Sequence, residues 1–82
     1  MNISVQIGYY PLKENFNPII TEFIGLLEQQ HIQAEVGQMS TIITGNYDEV
    51  MDVLKKLLYP FLERYPSIFT LTISNACNSC IS

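Results

Sequence analysis

The chain has 82 residues, a net charge of −4, and 48% hydrophobic against 15% charged residues. A chain of this size folds around a single core, and this balance is too apolar for a disordered segment. Its four basic side chains, Lys13, Lys55, Lys56 and Arg64, are too few and too scattered to track a phosphate backbone, so no nucleic-acid partner is expected.

The opening MNISVQIGYY lacks the positive start and long apolar stretch of a secretion signal. Within it, residues 3–10 alternate Ile3, Val5, Ile7 and Tyr9 with Ser4, Gln6, Gly8 and Tyr10, which predicts a strand with one apolar and one polar face. Pro11 breaks it. Asn17 then reads as an N-cap with Pro18 at the first helical position. From Pro18 to about Gln30, Ile19, Ile20, Phe23, Ile24 and Leu27 recur at helical spacing, with Glu22, Glu28 and Gln29 outward. His31, the only histidine, follows that helix, where capping suits it better than general-base work.

Ile32, Ala34 and Val36 against Gln33 and Glu35 predict a second strand, and TIITG, residues 41–45, a short third one. VGQMSTIITG, residues 36–45, is then a hairpin whose connection carries Gln38, Met39 and Ser40. Asn46 and Glu49 have the spacing of a capping box, opening a helix with Val50, Val53, Leu54, Leu57, Leu58 and Phe61 on one stripe. Pro60 falls inside that stripe and predicts a kink or a break. Residues 67–74, SIFTLTIS, read as a fourth strand with Phe69, Leu71 and Ile73 inward. Cys77 and Cys80 supply at most half of a tetrahedral zinc site, so residues 76–82 are expected to form a frayed tail with two reduced thiols. No apolar run approaches the roughly 20 residues of a membrane-spanning helix, so no membrane insertion is expected.

The order βαββαβ with right-handed crossovers predicts an α+β, ferredoxin-like domain over residues 1–82: a four-stranded antiparallel sheet with both helices on one face. The other face collects Ser4, Gln6, Gly8, Tyr10, Gln33, Glu35, Thr70, Thr72 and Ser74, and from the third strand either Ile42 with Thr44 or Thr41 with Ile43. Such a face, with hydrogen-bonding groups and no lysine or arginine, suits either self-association or a small polar heterocycle, and both readings stand on these residues. Catalysis is not expected. The chain has no glycine-rich phosphate loop, no spacing of metal ligands and no nucleophile beside His31 in sequence.

SVQIGYYPL and VGQMSTIITGNYDEVMDVLKK resemble the two signature segments of the small thiamine-binding proteins, a ferredoxin-like family. Tyr10-Pro11-Leu12, Gly37-Gln38-Met39-Ser40-Thr41, Ile42-Ile43, Thr44-Gly45 and Asp48-Glu49-Val50 carry the resemblance in order and register. Two positions depart from the family pattern: Thr44 stands where an acidic residue is expected, and Gln38 where proline is usual. The resemblance implies non-catalytic binding of thiamine or its hydroxymethylpyrimidine moiety by a carrier, sensor or salvage accessory protein, with no cofactor. A cytoplasmic homo-dimer or homo-tetramer is the expected state.

The implied site takes Gln6, Gly8, Tyr10, Glu35, Gln38, Met39, Ser40, Thr41 and Thr44. In it Met39 lies against a flat ring through its thioether, Tyr10 stacks on the ring, and Gln6, Ser40 and Thr41 satisfy the ring edge. Gly8 leaves room for the ring. Glu35 supplies the carboxylate missing at Thr44, or else is a solvated edge residue. The alternative is a ligand-free ferredoxin-like interaction or regulatory domain that oligomerises through its polar sheet face.

Overall fold

Strand β1 (Asn2–Pro11), helix α1 (Asn17–Glu28), strands β2 (Gln33–Val36) and β3 (Thr41–Asn46), helix α2 (Tyr47–Arg64) and strand β4 (Ser67–Ser74) follow in that order. The computed structural model describes residues 1–37 and 40–76. The strands form one antiparallel sheet in the order β2-β3-β1-β4, the ferredoxin-like α+β fold that the alternating patterns imply. The expected frayed tail with Cys77 and Cys80 lies outside the described residues, apart from Ala76.

Register decides which side chains meet the helices. Val5 pairs with Ile43 and Ile73, and Ile7 with Thr41 and Leu71, so these residues share one face. Against that face α2 buries Val50, Val53, Leu54, Leu57 and Phe61, and α1 buries Ile19, Phe23 and Leu27. Where α1, α2, β1 and β4 meet, Tyr9 stacks on Phe69 with ring centroids 4.1 Å apart. Phe23 lies tilted against Tyr9 at 5.1 Å, and Phe61 meets Phe23 edge-on at 5.5 Å. The Tyr9 hydroxyl escapes this apolar cluster by pairing with Ser67 Oγ at 3.2 Å.

Several local expectations are corrected. Asn17 is the first helical residue of α1 rather than its cap; Phe16 occupies the cap position without a side-chain bond. Pro18 in the first turn already removes one N–H, and Phe16, Asn17 and Pro18 are exposed, which leaves this end of the helix open to solvent. At α2, Asn46 does cap, accepting from the Asp48 N–H at 3.1 Å. The reciprocal bond of a capping box is not made: the Glu49 carboxylate lies close over Gly45, and the Tyr47 N–H of the first turn donates to the Met1 carbonyl. Of the kink or break expected at Pro60, the break is absent: α2 runs on to Arg64. The carbonyl it leaves unpaired, four residues back, belongs to exposed Lys56, while fully buried Leu57 and Phe61 pin the helix on its inner side.

Leu71 and Ile73 turn toward the helix side yet remain 40% and 52% exposed, because β4 is an edge strand and α2 lies over β1 and β3. After α1 the Gln29 N–H donates to the Leu26 carbonyl and the Gln30 N–H to the Leu27 carbonyl, and His31 turns the chain into β2 with a φ of 54°. His31 therefore serves as a backbone pivot. The two helices are tied by Arg64, which donates to Glu22; that bond pushes the guanidinium pKa above its ordinary value, and the Tyr65 hydroxyl also donates to Glu22. Among the described residues no helix is long and apolar enough to cross a membrane.

Candidate functional site

Alternation along β1 sends Ser4, Gln6, Gly8 and Tyr10 to the sheet face opposite the helices. Pairing of Gln6 with Ile42 and of Ser4 with Thr44 resolves the choice on β3: Ile42 and Thr44 face outward, and Thr41 and Ile43 face the helices. On the other side of β1, Thr70 pairs with Gly8 and Thr72 with Gln6.

These residues enclose a recess of about 240 Å³ lined by Gln6, Gly8, Tyr10, Ser40, Thr70 and Thr72. The Gln6 amide donates to Ser40 Oγ at 3.3 Å, which ties the middle of β1 to the hairpin connection. A Cβ on Gly8 would stand 2.5 Å from Thr70 Oγ1 and 3.2 Å from the Tyr10 ring. The glycine is therefore needed for close approach: Tyr10 folds back over its own strand, and the Thr70 hydroxyl closes in from β4. The space expected to be free above Gly8 is bounded by the chain's own tyrosine. The recess is what remains between that ring, the threonines and the Gln6–Ser40 pair.

Glu35 and Thr44 belong to a neighbouring recess of about 230 Å³, shared with Gln33, Ala34 and Ile42 at the β2 edge. The Thr44 hydroxyl lies 3.2 Å from the Ser4 hydroxyl, so the position where the resemblance expects an acid holds a neutral pair.

Thr41 separates from the group assigned to it. It is 5% exposed and lines a cavity of about 100 Å³ between α1 and the sheet, together with Ile7, Tyr9, Phe23, Gly37 and Ser40. The cause is register, since its partner Ile7 is a core residue. Ser40 borders both this cavity and the outer recess. The connection itself is closed by the Gly37 N–H donating to the Ser40 carbonyl at 2.8 Å; Gln38 and Met39 lie outside the described residues.

Two lining residues, Thr70 and Thr72, are missing from the sequence-based site. Their alternation placed them on the outer face, but only the pairing of β4 with β1 brings them to Gly8. Among the described residues no group of His, Cys, Asp and Glu is arranged to hold a metal ion. The arrangement offers amide and hydroxyl groups beside an aromatic face, which suits reversible capture of a flat polar ring.

The sequence model of a family described as thiamine-binding protein matches residues 5–73. No curated protein matches the chain. Among solved structures, a candidate thiamine biosynthesis/salvage protein from Thermotoga maritima is 23% identical, with a TM-score of 0.80 over 90% of this chain and 83% of that one. A Streptococcus pneumoniae protein is also 23% identical and superposes with a TM-score of 0.87 over 99% and 93% of the two chains. A domain of unknown function from Bacillus cereus, 18% identical, gives 0.75 over 95% and 79%. At these identities the likeness carries the fold alone.

Proposed function

The chain belongs to the thiamine-binding protein family, and from that membership we propose that it binds thiamine or its hydroxymethylpyrimidine moiety, without altering it, in the outer-face recess. The observation that carries this reading is the convergence of Gln6, Gly8, Tyr10 and Ser40, all drawn from the family-like segments, on one recess with Thr70 and Thr72. An aminopyrimidine presents a flat face and an edge with donors and acceptors. Tyr10 supplies the stacking surface, and Gln6, Ser40, Thr70 and Thr72 supply edge partners. As a carrier, sensor or salvage accessory protein in the cytoplasm, the chain would work as a homo-oligomer assembled through its exposed strand edges.

A second reading is favoured by Thr41. Its side chain lines the cavity beneath the hairpin beside Tyr9 and Phe23, and a mostly apolar slot with a few polar groups is a common form of ring site. Calorimetric titration of two variants separates the readings. A neutral hydrogen bond contributes about 0.5–1.5 kcal/mol, so Gln6→Ala should weaken binding several-fold while Thr41→Val leaves it unchanged. The reverse pattern moves the ligand to the helix side. Absence of binding at millimolar thiamine and hydroxymethylpyrimidine removes the function altogether.

A further inference from the structure

The recess on the outer face is open on the side away from the sheet. Of its lining residues Gln6, Tyr10, Thr70 and Thr72 are exposed, so a flat ring lying there keeps its other face in water. Pockets that hold small molecules bury about 70–90% of the ligand surface, and a single sheet face covers a ring from one side only.

Apolar side chains adjoin that opening. Tyr10 pairs with Ile68, and the ladder runs on through the Leu12 N–H, which donates to the Pro66 carbonyl at 2.9 Å. Ile68 therefore stands beside Tyr10 on the outer face, and Leu12 follows Tyr10 by the same alternation. All three are large and between 46% and 57% exposed. Apolar groups left this open beside a recess mark a contact surface.

The chemistry of the face selects a second copy of the same chain. A two-fold contact sets each surface against itself, which hydroxyls and amides allow because they both donate and accept, whereas like charges repel. Gln6, Thr44, Thr70, Thr72 and Ser74 are neutral groups of this kind. Among the described residues of the face the one charged side chain, Glu35, lies on the edge strand β2. Area points the same way. At about 3.3 Å per residue and 4.8 Å between strands, the sheet presents about 450 Å² of flat surface. Two such faces laid together bury about 900 Å² before side-chain relief is added, close to the roughly 1,000 Å² of a specific interface. A contact of that size is marginal when empty, and a ring held between the layers adds to it.

We infer that a second copy lays its outer face over the first when the recess is occupied, so that the bound ring is enclosed between two sheets. This inference rests on the binding reading above and adds the missing wall of the site. Ligand and assembly are then linked: a ligand that prefers the closed pair tightens the association, and loss of the contact weakens the ligand. The contact is separate from strand pairing at the β4 edge. Ile68 faces outward, whereas Leu71 and Ile73 of the same strand lie toward the helices.

The test compares the wild-type chain with Ile68→Glu by sedimentation equilibrium at saturating thiamine and by calorimetric titration. Ile68 stands outside the residues that line the recess, and a carboxylate there would attract a cationic ring, so a weaker complex reports the lost contact. The saturated wild-type chain should have twice the mass of saturated Ile68→Glu, and thiamine should bind the variant about fivefold more weakly or worse. Should circular dichroism show Ile68→Glu unfolded, Leu12→Glu, which lies beyond the end of β1, takes its place with the same expected result. Equal masses or equal affinities, with thiamine bound to both chains, overturn the inference and leave the binding reading standing. A wild-type chain that binds no thiamine removes both.

Discussion

At the scale of single residues, Gly8 sets the shape of the outer face by what it lacks. Alanine normally gains about 0.5–1 kcal/mol over glycine inside a strand. Here its methyl group would overlap the Thr70 hydroxyl and press on the Tyr10 ring. Because overpacking costs about 1–3 kcal/mol, the clash outweighs the gain. Gly8→Ala should therefore lower the urea-unfolding free energy by about 1–2 kcal/mol, and adding Thr70→Ala should restore most of it. A simple sum of the two single effects in that double-mutant cycle would mean that Gly8 and Thr70 do not press on each other. Thr41 makes a contrasting case. Its hydroxyl looks available in sequence beside Ser40, yet one step along a strand reverses the face, and register puts it with Ile7 and Phe23.

At the scale of elements, hydrophobic pattern was enough to place all six, because β1, β2 and β4 alternate, each helix carries a continuous stripe, and the apolar pair of β3 stands between the hairpin connection and the cap of α2. What the period leaves open is partnership. Nothing within TIITG distinguishes Thr41 from Ile42 as the outward residue until β3 is set against β1. Nor does SIFTLTIS reveal that Leu71 and Ile73, though on the apolar side, extend past the cover of the helices. Pro60 shows tertiary packing overriding a local rule, since buried neighbours on both sides hold the helix through it. Proline in a helix interior is about 3 kcal/mol worse than alanine, offset by about 0.4–1 kcal/mol from its stiffer unfolded chain. Pro60→Ala should consequently raise stability by about 1–2 kcal/mol, seen in calorimetry as a rise in Tm of about 4 °C or more. An unchanged or lower Tm would mean that the ring's packing matters more than the missing bond.

At the scale of the whole molecule, the two edges of the sheet differ. β2 ends the sheet with an exposed, partly charged strand, whereas β4 ends it with Ile68, Leu71 and Ile73 largely exposed. Unpaired backbone groups beside apolar side chains favour strand association, and a domain this small gains from added buried surface. Sedimentation equilibrium at high micromolar concentration should show a dimer or tetramer. Leu71→Lys with Ile73→Lys should shift it to monomer while circular dichroism still reports the native fold. A monomeric wild-type chain would leave β4 without an assembly role.

The fold of Tyr10 over Gly8 also has an optical consequence. The chain contains five tyrosines and no tryptophan, so its near-ultraviolet emission comes from tyrosine alone. Tyr9 is stacked in the aromatic cluster, Tyr47 and Tyr59 belong to α2, Tyr65 caps that helix, and Tyr10 stands over the recess, about half exposed. A ring that settles against Tyr10 quenches or shifts one emitter out of five without any attached dye. Tyr10→Leu, with the emitter gone from the recess, identifies how much of that change originates there. A ligand bound as proposed would therefore be read in the native fluorescence of the protein itself.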